Sequence, residues 1–163
     1  TNAFYMVQHS FEPLDEVYSQ MDAIANHNPP FMPLKTIYDT LFYVGGLFTT
    51  NDPAIPAIAG IKLALQAKAH LEETLQKGED RARFYISVLT GGPLLCGLVG
   101  RTQLSFEVSG PLIDSAATLL EAAPPDMVIV SETTKTDALT GDTSGIHFNH
   151  QGTNALGMAT YLF

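Results

Sequence analysis

The sequence predicts an α/β (α+β) fold: a sandwich with a mostly antiparallel sheet and helices packed on one face. Three observations predict it. Two long segments carry apolar residues three and four apart, the period of an amphipathic helix, while several short runs alternate apolar and polar residues as half-buried strands do. Clusters of Gly and Pro separate these segments, and the order of helix, hairpin, helix, strand, strand pair, helix, strand suits a two-layer core.

Each element has its own signal. Phe11, Leu14, Val17, Tyr18, Met21, Ile24 and Ala25 line one helix face; Ser10 is the candidate N-cap, Pro13 falls in the first turn, and Asn28, Pro29 and Pro30 end the helix. Leu34 to Ile37 and Leu41 to Val44 are two short strands around a tight turn at Tyr38, Asp39 and Thr40, followed by Gly45 and Gly46. Asn51 and Asp52 offer a cap and Pro53 a first turn to a long helix through Ile58, Ile61, Leu65 and Leu71, which Gly78 stops after Lys77. Phe84, Ile86 and Val88 alternate as a strand that breaks at Gly91, Gly92 and Pro93. Leu94, Leu95, Cys96, Leu98 and Val99 carry no charge, which predicts a buried strand with a buried structural thiol. Beyond a turn at Gly100 to Thr102, Leu104, Phe106 and Val108 share one strand face, with Ser105 and Glu107 on the other. Ser109, Gly110 and Pro111 open a third helix, which Pro124 and Pro125 end. Met127 to Val130 is a strand, Ser131 caps a short helix to Leu139, Gly141 to Gly157 is loop, and Met158 to Phe163 is a terminal strand.

Composition narrows the function. The 163 residues suit a single domain, 1–163, with a sizeable core. With 8 Lys and Arg and a net charge of -9, the chain lacks the cations that neutralise a phosphate backbone, so no nucleic-acid partner is expected. No apolar run reaches membrane-spanning length, so no membrane contact of this domain's own is expected. One Cys forms no internal disulfide. His147 and His150 lack convergent Cys or carboxylates for a metal site.

Two motifs carry a family resemblance. Gly92, Pro93, Gly97 and Gly100 form a glycine-punctuated hairpin; Phe106 and Glu107 follow, with Gly110 three residues after the acid. Upstream, LDEVYSQMDAI precedes LKTIYDTLFYVGGL. This pattern resembles the class III nucleotidyl cyclase catalytic domain, the adenylate and guanylate cyclase family, over nearly the whole chain. The resemblance implies a ferredoxin-like core and a cytoplasmic setting, such as the intracellular domain of a larger membrane protein. In the family a strand bearing a metal-binding aspartate precedes the first helix; residues 1–10 hold no Asp or Glu, so the expectation is a domain truncated at its N-terminus, which either starts after this strand or keeps Ala3 to Val7 as its remnant, in both cases without the first metal ligand.

The resemblance also assigns roles. Lys35 and Glu107 occupy the base-reading, nucleotide-binding positions, and a lysine with a carboxylate favours adenine over guanine. Asp39 matches the second metal aspartate, in a family where two carboxylates hold Mg or Mn ions about 3.5–4 Å apart. Asp114 and Thr118 stand at the catalytic positions where the family has Asn, which orients ribose, and Arg, which neutralises phosphate. Gly152 to Gly157 lack the family's phosphate-binding lysine. The residues alone also admit an edge-strand lysine with a solvated glutamate, and an aspartate that simply suits a hairpin turn.

Three functions follow as expectations. The first is a cyclase homologue of cyclic-nucleotide signalling, with the family reaction of ATP to cyclic AMP and pyrophosphate, impaired in its own catalysis and working as a homodimer or as a heterodimer with another cyclase domain. The second is an inactive pseudo-cyclase serving as a dimerisation, regulatory or nucleotide-binding module. The third is a ferredoxin-like interaction domain without nucleotide.

Overall fold

A computed structural model describes residues 2–8, 14–37, 39–47, 52–75, 82–153 and 159–162. The elements run β1 (Asn2–Gln8), α1 (Leu14–Asn26), β2 (Phe31–Ile37), β3 (Thr40–Gly45), α2 (Ala54–Leu75), β4 (Phe84–Thr90), β5 (Leu95–Val99), β6 (Ser105–Ser109), α3 (Pro111–Glu121), β7 (Val128–Ser131), α4 (Glu132–Ala138), β8 (Asn149–Thr153) and β9 (Ala159–Leu162). Seven strands form one sheet in the order β2-β3-β1-β4-β7-β9-β8, and β5 and β6 form a separate pair. Every pairing in the large sheet is antiparallel except β4 with β7. The first four strands with α1 and α2 make a β-α-β-β-α-β unit in which β1 lies between β3 and β4, the ferredoxin-like arrangement.

The first strand is therefore present: the reading that the chain starts after it is corrected, and Ala3 to Val7 lie within it. β1 pairs with β3 from Asn2↔Gly45 to Val7↔Thr40, and with β4 from Asn2↔Thr90 to Gln8↔Phe84. The run AFYMV is rich in aromatic and apolar residues, as suits a central strand flanked on both sides. The absent carboxylate made the segment resemble a remnant; backbone pairing depends on no carboxylate.

The sheet buries both faces. Tyr43, Ile86, Val88, Val128 and Val130 face Val17, Met21, Ile61, Leu71 and Ala138, from α1, α2 and α4. Phe42, Leu89 and Ile129 point the other way and meet Leu112, Ala116, Leu119 and Leu120 of α3. Neighbours such as Phe42 and Tyr43 thus enter opposite cores, the period-two alternation of a strand. The helices are distributed more finely than expected: three cover one face and α3 the other. Phe31 seats its ring where two glycines leave room. A Cβ on Gly45 would stand 2.5 Å from that ring, and one on Gly60 would stand 2.8 Å from it.

Two predicted caps are formed. Asp52 Oδ1 accepts from the Ala54 amide at 2.9 Å, and Ser131 Oγ accepts from the Thr134 amide at 3.2 Å. The expectations at Ser10, Pro13, Asn51 and Gly78 lie outside the described residues. No described helix is long and apolar enough to cross a membrane.

Two expectations are corrected. β5 pairs with β6 from Leu95↔Ser109 to Val99↔Ser105 and takes no place in the large sheet, so it is an exposed arm, not a buried strand. Leu95, Leu98, Val99 and Leu104 are each more than half exposed, and Cys96 is an exposed thiol. Apolar composition marks a surface to be covered; it does not name what covers it. In the tail, Asn149–Thr153 forms the edge strand β8 against β9. Its sequence NHQGT has no apolar alternation because the strand is largely exposed, and an edge strand needs only one partner.

Candidate functional site

Lys35 and Glu107 meet. β2 is the sheet edge, and its register with β3 shifts between Pro33 and Lys35, an irregularity of the kind that re-aims side chains. Lys35 Nζ donates to Glu107 Oε2 at 3.3 Å, while Ser105 Oγ donates to Glu107 Oε1 at 2.8 Å. Both oxygens of the carboxylate are engaged. The Ser105 hydrogen bond first, then the Lys35 hydrogen bond and charge, hold Glu107 below the usual carboxylate range. Beside Lys35 a cleft of about 330 Å³ runs along β2, with Tyr18, Asp22 and Phe42 among its walls. Sequence reasoning gave Ser105 no role. Its signal was the i, i+2 spacing that puts it on the strand face of Glu107.

Asp39 stands in the turn between β2 and β3. Its charge helps raise the Tyr18 hydroxyl, after burial as the first cause, which places α1 beside the turn. The β1 register ends with Val7 opposite Thr40, the residue after Asp39, and β1 carries no Asp or Glu along its length. Among the described residues no group of three His, Cys, Asp or Glu could hold a metal ion. Among the described residues this donor set does not fit a two-metal centre, which needs paired carboxylates.

Asp114 and Thr118 share one face of α3 at i, i+4. Thr118 Oγ1 donates to the Asp114 backbone carbonyl at 3.0 Å, so this hydroxyl is engaged by its own helix. Asp114 is in the first turn, after Gly110 and Pro111. Gly110 has φ +140°, and a Cβ there would lie 2.7 Å from the Pro93 carbonyl oxygen. Only glycine permits this close crossing, which pins the base of the arm where α3 begins. The structure thus joins Lys35 to Glu107, places Asp39 at the hairpin beside α1, and sets Asp114 and Thr118 on the helix that follows the arm.

Comparison with known proteins agrees with this architecture. Solved structures of similar fold include the adenylyl cyclase CyaB from P. aeruginosa (TM-score 0.83, 16% identity, covering 99% of this chain and 91% of that one). The guanylyl cyclase Cya2 gives a TM-score of 0.81 at 15% identity, covering 99% and 89%. The non-canonical dimeric guanylyl cyclase domain of the RhoGC fusion protein from the aquatic fungus Blastocladiella emersonii gives 0.80 at 17%, covering 99% and 93%. At such identities the likeness shows the fold alone. No curated protein matches the chain by sequence. The family match spans residues 4–162, nearly the whole chain and both of its motifs: this chain belongs to the Adenylate and Guanylate cyclase catalytic domain family.

Proposed function

We propose that this chain is a cyclase homology domain of cyclic-nucleotide signalling that reads adenine and is impaired in its own catalysis, acting as one half of a dimer. The observation that carries the impairment is that β1, which pairs with β3 up to Val7↔Thr40 next to Asp39, holds no Asp or Glu, where two-metal chemistry needs a second carboxylate. Asp114 adds to it, because an aspartate facing a triphosphate repels it, and Thr118 brings no cation in exchange.

Base reading is supported by the pair that remains. The Lys35 ammonium is a donor suited to ring N1 of adenine, and the Glu107 carboxylate is an acceptor suited to its exocyclic amine. These residues bind and orient a nucleotide; no transfer step is assigned to them. Dimerisation is supported by the arm, whose Leu98, Leu104 and Phe106 expose apolar surface. That surface also favours the second reading, a regulatory pseudo-cyclase whose dimer is its function. A cytoplasmic setting, with ATP at hand, belongs to the same proposal.

The test is cyclic AMP and cyclic GMP production by the purified domain with manganese and ATP or GTP, over a wide range of protein concentration, with nucleotide binding followed in the same samples. ATP binding without turnover is the expected result. Turnover that rises with dimerisation would overturn the impairment, and failure to bind either nucleotide would overturn base reading.

A further inference from the structure

We infer that Ser105 is a positioning residue: its hydroxyl turns the Glu107 carboxylate toward Lys35, so that the pair presents a donor and an acceptor in fixed order to a purine edge. The purine consequence rests on the base-reading role proposed above for Lys35 and Glu107.

The arm gives Glu107 little else to lean on. Its cross-strand neighbour is Gly97, and even a Cβ built there would touch nothing within 4 Å. A glutamate opposite a glycine gains no wall from the partner strand, so its direction is left to hydrogen bonds. Two donors supply them from opposite sides, Ser105 at 2.8 Å on Oε1 and Lys35 at 3.3 Å on Oε2. Ser105 makes the shorter bond and comes from the same strand, two residues away, whereas Lys35 must reach across from the sheet edge. The Ser105 bond is also the first cause of the lowered Glu107 pKa, ahead of both contributions from Lys35.

A carboxylate offers about four acceptor positions, so two donors leave room for a third. Adenine presents an acceptor at N1 beside a donor amine; guanine presents a donor at N1 beside the acceptor O6. With Glu107 held beside Lys35, the order of donor and acceptor matches adenine and opposes guanine. Releasing Glu107 would blur that order.

The experiment uses the domain with ¹³C-labelled glutamate carboxyls, the Glu107 signal being assigned with Glu107→Gln. The wild type, Ser105→Ala and Ser105→Thr are titrated with acid, and each is titrated separately with ATP and with GTP. Ser105→Ala is expected to move Glu107 up toward its ordinary value of 4.5 and Ser105→Thr to restore it. ATP affinity should fall about twofold to tenfold in Ser105→Ala, the span of one hydrogen bond, with GTP unaffected. An unchanged Glu107 titration in Ser105→Ala would overturn the inference, as would an unchanged ATP affinity in a domain that binds ATP. A wild type that binds neither nucleotide, yet whose Glu107 shifts in Ser105→Ala, would retire base reading and support the hold of Ser105 on Glu107.

Discussion

Lys35 Nζ and Glu107 Oε2 stand 3.3 Å apart across 72 residues of chain, so one ion pair ties the edge strand β2 to the arm. The Glu107 carboxyl titrates below its ordinary value of 4.5 when folded, so the unfolded chain takes up the proton first. Its contribution to stability is complete above 4.5 and is lost as pH falls through the depressed folded value. Thermal melts of wild type and Glu107→Gln should differ at neutral pH and converge in acid. The difference should also shrink in high salt, because the pair is partly exposed.

The Tyr43 hydroxyl donates to Asp22 Oδ1 at 2.9 Å, tying β3 to α1. Tyr43 is 1% exposed, and burial first, then this bond, raises its hydroxyl pKa. Tyr43→Phe keeps the ring and leaves the exposed Asp22 to water, so a loss of about 0.5–1.5 kcal/mol is expected. Urea unfolding should show a lower midpoint at an unchanged slope.

Gly45→Ala drives a methyl to 2.5 Å from the ring of the buried Phe31, which also packs closely against Gly60. Overpacking of this kind costs about 1–3 kcal/mol. The smaller side chain of Phe31→Leu should recover part of that loss. The double variant would then be more stable than the sum of the singles, a non-additivity that a denaturation cycle measures.

Leu98→Glu and Phe106→Glu place charge on one face of the arm, where the two positions are cross-strand neighbours. Both variants should shift the domain toward monomer in analytical ultracentrifugation with little change in melting temperature at low concentration. A dimer unaffected by both would place the interface elsewhere.

Asp114→Asn with Thr118→Arg supplies the family residue types on one face of α3. Opposite a partner cyclase domain carrying both metal aspartates, the double variant should gain cyclic AMP production of roughly 10²-fold or more, the effect of one preorganised contact. No gain would mean that this helix face does not meet the phosphates.

Much of the frame was legible because its signals are local. The strand at Phe84, Ile86 and Val88, the Ser131 cap and the hairpin around Asp39 each depend on neighbours in sequence, and the family motifs fixed their order. β1 was harder to read, since a central strand covered on both sides shows no alternation, and the missing carboxylate drew attention away from its apolar run. The arm deceived for the opposite reason: hydropathy reports a preference for burial, and Leu95 to Val99 express it with no cover among the described residues. At the site, the spacing of Lys35 and Glu107 in sequence says nothing of their contact, and family positions alone foretold it. Ser105 needed no more than strand periodicity and a look at what its hydroxyl could reach.

Among the described residues no backbone ladder joins β5 or β6 to the seven-stranded sheet. Away from Glu107, Val108 and the base at Gly110, the arm is therefore modular: its exposed Leu95, Leu98, Val99 and Leu104 can be exchanged with little toll on the core. Within such a design, the choice of companion and the survival of the fold are separate traits, free to change at separate rates.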